Sequence, residues 1–339
     1  MQTKLVVSSS PFLRDASVST RRLMGDVVIA LIPTALAAIW FFGAPALALM
    51  LVSVVFAVLS ELVYEKITHQ KTTIDDLSAV VTGLLLAFNL PANAPWWMAA
   101  IGSIIAIVLV KQMFGGIGQN FINPALAART ILMLSWAGLI AATALPAGGQ
   151  LFGLTTVPVD AVASATPLVS SSYSLWQLFI GDVPGMLGET CKLTLILGGV
   201  YLIVRKVIDW RIPVFFIATA FILFWIQTGV IYSVESGTDN ALYQILSGGL
   251  LLGAFFMATD YVTSPVSKWG KVVMGIGCAV ILFVIRAYNN SYPEGCSFAI
   301  LFMNVLTPLI DKWTMPRTFG AVKPAKAKKS EAKQGGAKA

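Results

Sequence analysis

Residues 24–43 read Met24-Gly25-Asp26-Val27-Val28-Ile29-Ala30-Leu31-Ile32-Pro33-Thr34-Ala35-Leu36-Ala37-Ala38-Ile39-Trp40-Phe41-Phe42-Gly43, with Asp26 as the only ionisable side chain in the run. A helix needs roughly 20 apolar residues to cross the hydrocarbon core of a bilayer. This run meets that length. It follows Arg21-Arg22 and has no convincing signal-peptide cleavage site, so it reads as a retained membrane span. The same test along the chain gives about ten candidates, roughly 24–43, 45–64, 74–90, 95–113, 122–143, 188–207, 211–232, 242–259, 270–288 and 296–313. The composition agrees: 57 % hydrophobic and 12 % charged residues lie outside the soluble range. The expected fold class is an all-α integral membrane protein of about ten transmembrane helices.

The net charge of +7 would suggest a nucleic-acid partner in a soluble protein. Here the basic residues sit in the N-terminal arm, in alternate loops and in a lysine-rich tail, which is the pattern of membrane orientation. Lys4, Arg14, Arg21 and Arg22 precede the first span; Lys66 and Lys71, then Lys111 and Arg129, then Arg205, Lys206 and Arg211, then Lys268 and Lys271 occupy alternate loops. The opposite side holds only Lys192 and Arg286. By the positive-inside rule both termini are cytoplasmic and residues 144–187, which contain no Lys or Arg, lie outside the cytoplasm. Membrane lipid is the expected environment, with no nucleic acid.

A duplication is visible. Leu77-Ser78 followed by Gly83-Leu84-Leu85-Leu86-Ala87-Phe88 echoes Leu246-Ser247 followed by Gly249-Leu250-Leu251-Leu252-Gly253-Ala254-Phe255. The end of the fourth candidate at Lys111 echoes the end of the ninth at Arg286. With five spans per half the second half must enter the membrane upside down, an inverted repeat. The expected organisation is an arm (1–23), a first five-helix repeat (24–143), an extracytoplasmic loop (144–187), a second five-helix repeat (188–317) and a disordered basic cytoplasmic tail (318–339).

Three cysteines and one histidine exclude much chemistry. Cys191, Cys278 and Cys296 form no CxxC, too few thiols are present for a four-thiolate iron–sulfur site, and His69 alone cannot supply a bis-imidazole haem. Cys278 and Cys296 lie in apolar runs and read as core residues. No G-x-G-x-x-G opens a helix after a strand, so NAD would have to be bound elsewhere.

Four segments carry the chemical signal. Gly115-Gly116-Ile117-Gly118-Gln119-Asn120-Phe121-Ile122-Asn123-Pro124-Ala125 joins two spans; its glycines let backbone approach a flat ligand, Asn120 and Asn123 offer donors and acceptors, and Asn123 with Pro124 also suits a plain helix start. Phe255-Phe256-Met257-Ala258-Thr259-Asp260-Tyr261 ends the eighth candidate beside an acid. The last span carries Asn304, which must find a partner at membrane depth, and ends at Asp311. Asp160-Ala161-Val162-Ala163-Ser164-Ala165-Thr166-Pro167-Leu168 lies in the long polar loop; on its residues alone it is ordinary surface chain with an accessible hydroxyl. Ionisable residues at membrane depth are functional candidates by default, here Asp26, Glu61, Asp75, Asp76, Lys111, Arg129, Asp260, Arg286 and Asp311, of which Asp26 and Asp311 read as interfacial.

Taken together, these segments, with Ser10-Pro11 and Asp26 to Pro33, resemble the RnfD/NqrB family of membrane flavoproteins from about Ser8 to Gly320. The length is closer to the RnfD branch than to NqrB, which usually has an extended N-terminal region. The resemblance implies a subunit of the Rnf complex, which moves electrons between reduced ferredoxin and NAD and couples this to sodium or proton export. It implies covalent FMN on Thr166, attached through phosphate by a flavin transferase, with Asp160, Ser164 and Ala165 as signal residues. It also implies a non-covalent riboflavin, for which Gly115, Gly116, Asn120 and Asn123 are site candidates. Lys111 and Arg286, at echoing positions, are expected near reduced flavin. Glu61, Asp75, Asp76, Asp260 and Asp311 are candidates for the ion route. Implied partners are the other Rnf subunits, including a second covalent-FMN subunit and a ferredoxin/NAD-reactive module. This chain has Ala163 where Ser or Thr is usual, Ser164 where Gly is common, Phe12 for a frequent histidine and Tyr261 for a common proline. The hydroxyl acceptor is retained. A solute channel or transporter with inverted repeats, an NqrB-like subunit of a sodium-pumping NADH:quinone reductase, and a cofactor-free membrane anchor are the competing readings.

Overall fold

The computed structural model describes residues 5–7, 13–15, 19–141, 143, 146, 167–168, 173–232, 240–289 and 294–315. Apart from one small strand pair, the described elements are helical. In the N-terminal arm β1 (Leu5–Val7) pairs antiparallel with β2 (Leu13–Asp15), Leu5 opposite Asp15, a feature absent from the all-α expectation.

The first long helix, α1 (Thr20–Phe42), is capped by Ser19, whose hydroxyl accepts from the Arg22 N–H at 3.3 Å. It ends at Gly43, whose φ of +69° turns the chain into α2 (Ala44–Ile67). Then come α3 (Ser78–Phe88), α4 (Trp96–Ile104), α5 (Pro124–Ser135) and the short α6 (Ala137–Ala141). A short α7 (Leu175–Ile180) leads to α8 (Lys192–Val204), α9 (Arg211–Thr228), α10 (Ala241–Leu246), α11 (Leu250–Leu252), α12 (Lys268–Tyr288) and α13 (Cys296–Thr314). Both α4 and α11 continue as π-helix, over Ile105–Gln112 and Gly253–Met257. Such wide turns concentrate at functional sites.

Each apolar candidate contains helix, but among the described residues only α1, α2, α9 and α12 are long and apolar enough to cross a membrane by length and composition. The third candidate is broken. A 3-10 turn at Ile74–Asp76 precedes Leu77 at φ +63°, and α3 starts after it. The eighth is broken likewise, at Gly248 with φ +66°, between α10 and α11. The sixth starts late, at Lys192, because the preceding loop folds onto the end of α3: the Leu187 and Gly188 N–H groups donate to the Leu90 and Phe88 carbonyls at 3.0 and 2.9 Å.

Two packing devices hold the helices close. A Cβ on Gly83 would lie 2.9 Å from the Val54 Cα, so α3 can approach the α2 backbone only with glycine there. At the same crossing the Ser53 hydroxyl donates to the Gly83 carbonyl at 2.7 Å and meets Ser103 of α4 at 2.9 Å. The core between the helices is built on Leu31, Leu86, Phe88, Met98, Leu132 and Phe216. Leu51, Val55, Leu59 and Val63 line the outward face of α2, each about half exposed. Such a face is stable in lipid and costly in water. The fold is that of an integral membrane protein.

Candidate functional site

A cavity of 360 Å³ opens where α1, α3, the start of α5, the end of α8 and the π-helical end of α11 converge. Its walls include Ser78, Thr82, Asn120, Asn123, Phe255 and Phe256, and its volume falls in the range of small-molecule sites, roughly 300–1,000 Å³. The glycine-rich turn frames one side. Gly115, Gly116 and Gly118 adopt φ of +113°, +87° and +90°, which L side chains rarely adopt. Gly118 lines the cavity, and a Cβ there would meet nothing within 4 Å; Gly115 and Gly116 shape the turn without lining it. Asn123 does two jobs. Its oxygen caps α5, accepting from the Ala125 and Leu126 N–H groups at 3.1 and 3.2 Å, and its amide nitrogen donates to the Met257 carbonyl at 3.3 Å. On the far wall Asp260 accepts weakly from the Val262 N–H at 3.5 Å and the Thr263 hydroxyl at 3.4 Å. Burial pushes its carboxyl above the usual range, opposed by those bonds and one from Asn120.

The deepest polar group beside this cavity is an ion pair. Lys111 Nζ donates to Glu61 Oε1 and to Ser78 Oγ, both at 2.6 Å, and Gln112 donates to the same Glu61 oxygen at 2.8 Å. Glu61 is fully buried and its Oε2 has no hydrogen-bond partner among the described residues. Ser78 in turn donates through its N–H and hydroxyl to Asp76 Oδ1, at 2.7 and 2.5 Å, so Asp76 satisfies the start of α3. Glu65 is also buried, and accepts from the Thr73 N–H and hydroxyl. Glu61→Gln is expected to leave the Lys111 ammonium without its counter-charge and to cost about 2 kcal/mol, measured as a lowered thermal midpoint in detergent; Glu61→Gln with Lys111→Met should recover most of it.

A second polar network lies at the other end of α3 and α8. Arg129 of α5, 2 % exposed, donates to Asn89 Oδ1 at 3.0 Å, to Ser297 Oγ at 2.8 Å and to Glu294, and stands 3.6 Å from Glu189. Lys192 Nζ donates to the backbone carbonyls of Glu189 and of Gly248, the latter at 3.1 Å. Arg286 donates to the carbonyls of Gln244 and Ser247. The residue following Thr166 is anchored here, since Tyr243 Oη donates to the Pro167 carbonyl at 3.0 Å.

Lys111, Asn120, Asn123 and Asp260 thus line the cavity, while Glu61 and Asp76 stand behind its wall, bonded to Lys111 and to Ser78. Asp75 is exposed, and Asp311 stands apart, accepting from the Val266 N–H at 3.0 Å. Asp26, read as interfacial, is buried and paired with Arg205 at 3.2 Å, with Tyr201 as a second donor. Arg286 lies in the second network, far along α8 from Lys111. Thr166, Asp160, Ser164 and Ala165 lie outside the described residues. Sequence reading missed Glu189, Lys192 and Glu294 as site residues. Their only signal was that acids and bases flank spans on a side otherwise poor in charge.

A helical membrane protein with a cavity lined by amides and aromatic rings at one end, and a buried ion network at the other, belongs to the class of cofactor- or ion-handling integral membrane proteins. Similarity to known proteins narrows this. The chain belongs to the NQR2, RnfD, RnfE family, whose model matches residues 6–320. It is 45 % identical over 339 residues to the D subunit of the Na(+)-translocating ferredoxin:NAD(+) oxidoreductase complex of Acetobacterium woodii, covering 97 % of this chain and 99 % of that one. It is 40 % identical to the D subunit of the proton-translocating ferredoxin:NAD(+) oxidoreductase complex of Clostridium ljungdahlii, covering 93 % and 96 %. It is 38 % identical to the D subunit of the ion-translocating oxidoreductase complex of Halorhodospira halophila, covering 90 % and 93 %.

Proposed function

We propose that this chain is the RnfD-type membrane subunit of an ion-translocating ferredoxin:NAD oxidoreductase, carrying covalent FMN on Thr166 and a non-covalent riboflavin in the 360 Å³ cavity. Relatives matching nearly end to end, each a D subunit of such a complex, support the subunit assignment and the RnfD branch. The observation that carries the flavin reading is the cavity itself. Its three rings, Phe255, Phe256 and Tyr261, its amides, Asn120 and Asn123, and the bare backbone at Gly118 suit a flat heteroaromatic group with polar edges. The flavin supplies the redox step when bound; the protein's part is to hold it, orient it and exclude water.

In this reading the chain has ten spans in two inverted five-helix halves. Geometry supports the duplication. Lys111 and Arg286, ending the fourth and ninth candidates, each reach the break before the third helix of their own half: Lys111 to Ser78 Oγ at 2.6 Å, Arg286 to the Ser247 carbonyl at 3.1 Å. The breaks themselves match, Leu77 at φ +63° and Gly248 at φ +66°. The basic-residue distribution supports cytoplasmic termini and an extracytoplasmic 144–187 loop in the cell membrane. Asp260 lines the cavity, Glu61 and Asp76 are bonded to its lining residues Lys111 and Ser78, and these three are the nearer members of the ion route, with Asp75 and Asp311 at its margin. The complex would supply a second covalent-FMN subunit and a ferredoxin/NAD-reactive module.

The test is covalent attachment. Full-length chain produced with a flavin transferase is expected to give a denatured band that fluoresces yellow under ultraviolet light, and Thr166→Ala is expected to abolish it. A colourless wild-type band from cells containing the transferase would refute the covalent flavin and favour a solute channel.

A further inference from the structure

The lining of the 360 Å³ cavity divides by exposure. Ser78, Thr82, Lys111, Phe255 and Phe256 are buried and form its floor. Thr20, Ile117, Gly118 and Tyr261 are exposed and mark its mouth. Lys111 is the only basic side chain among the described lining residues, and Glu61 and Ser78 already hold it. That leaves no lining cation to bind a charged group. A flat neutral ligand is retained here by contact with the walls and by closure of the mouth.

Tyr261 ties two elements together across that mouth. Its phenol donates to the Val207 carbonyl, in the turn after α8 and next to the lining residue Ile208. The turn is held without it. Lys206 takes φ +58°, the Val207 N–H donates to the Leu202 carbonyl at 2.9 Å, and Arg205 pairs with Asp26 of α1 at 3.2 Å. The backbone that carries Tyr261 is held as well. The Ser264 N–H donates to the Asp260 carbonyl at 3.1 Å, and the Thr307 hydroxyl of α13 donates to the Thr263 carbonyl at 2.8 Å. A single side chain thus crosses between two anchored segments, and it can turn about its own torsions while both backbones stay in place.

We propose that Tyr261 is a bolt across the cavity mouth which sets how fast a flat, uncharged ligand enters and leaves. The inference rests on the riboflavin reading of the cavity and deepens it, by assigning the ligand's residence time to one side chain. Passage requires the bond to Val207 to break and the ring to turn outward, on the side where Tyr261 is already 47 % exposed. Both ends of that bond belong to the protein. Removing it therefore lowers the barrier to entry and to release alike and leaves the affinity nearly as it was. A hydroxyl that held the ligand itself would change release alone.

The experiment follows radiolabelled riboflavin on the full-length protein in detergent. Release is timed by a chase with excess unlabelled riboflavin, and entry by mixing label with riboflavin-depleted protein. Tyr261→Phe is expected to speed both about fivefold, the weight of one ordinary hydrogen bond, with Kd within about twofold of wild type and a thermal midpoint near it. Tyr261→Ala, which removes the ring as well, should speed release further and also weaken binding. Unchanged rates in Tyr261→Phe overturn the proposal and route the ligand past Gly118. Faster release with unchanged entry overturns it too, because the hydroxyl would then serve the bound ligand. A collapsed thermal midpoint does the same by making the bond part of the fold. Wild-type protein that binds no riboflavin refutes the cavity reading itself, a result that no Tyr261 variant is needed to see.

Discussion

Replacing Arg129 with methionine is expected to remove about 3–5 kcal/mol of stability, a large part of what a typical fold has in reserve. The reason is the company this guanidinium keeps. It bonds Asn89 at the end of α3 and Ser297 and Glu294 at the start of α13, and it faces Glu189 in the loop before α8. Methionine fills the volume but leaves two carboxylates without a cation, one of them only 3 % exposed, in a region where water cannot compensate. Most of the loss is therefore the cost of stranded charge. That gives the prediction a second arm: Arg129→Met combined with Glu189→Gln and Glu294→Gln should be markedly more stable than Arg129→Met alone. Lysine should rescue only partly, because one ammonium cannot span acceptors that a planar fork reaches together. Thermal midpoints in detergent, read by size-exclusion recovery, decide it. If the triple variant is no better than the single one, the network is not held by charge.

How far the sequence led can be judged from the same residues. Apolar run length located helix in every candidate segment, because the bilayer imposes one requirement on every span. It placed the ends badly where glycine or a tertiary contact intervened. Gly248 splits the eighth segment, and the loop ending at Cys191 leaves the sixth to fold onto α3. The cavity was half legible: Asn120 and Asn123 were marked by the turn that carries them, and Phe255 and Phe256 by the segment ending beside Asp260, whereas Ser78 and Thr82 join it only through packing. The second network was almost illegible. Arg129 was marked by its depth, but its partners lie 40, 60, 165 and 168 residues away, at Asn89, Glu189, Glu294 and Ser297, and no local spacing encodes such meetings. Asp26 read as interfacial from its place near a span end, but its partners Tyr201 of α8 and Arg205 at the end of that helix were not marked by any local spacing.

Those two residues of α8 share a helical face with Gly198, and that face carries the other large expected effect. Gly198→Leu should prevent α1 and α8 from packing and leave little recoverable folded protein. A Cβ on Gly198 would stand 2.4 Å from the Ala30 carbonyl oxygen and 3.3 Å from its carbon, and backbone cannot step aside as a side chain can. Moving the helices apart would also break the Asp26–Arg205 pair one turn away on α1. Gly138→Ala is the control, since a Cβ there meets nothing within 4 Å and its helix is short and exposed. Gly199 separates packing from ligand binding. Its added Cβ would meet Phe255 at 2.4 Å, a side chain that can rotate, but into or away from the cavity that it walls. Gly199→Ala is therefore expected to keep most of the thermal midpoint that Gly198→Leu loses, while giving up bound riboflavin, measured as the flavin released on denaturation and quantified by fluorescence. Should Gly199→Ala retain riboflavin at the wild-type ratio, the flavin does not lie against Phe255, and the cavity assignment fails independently of the fold.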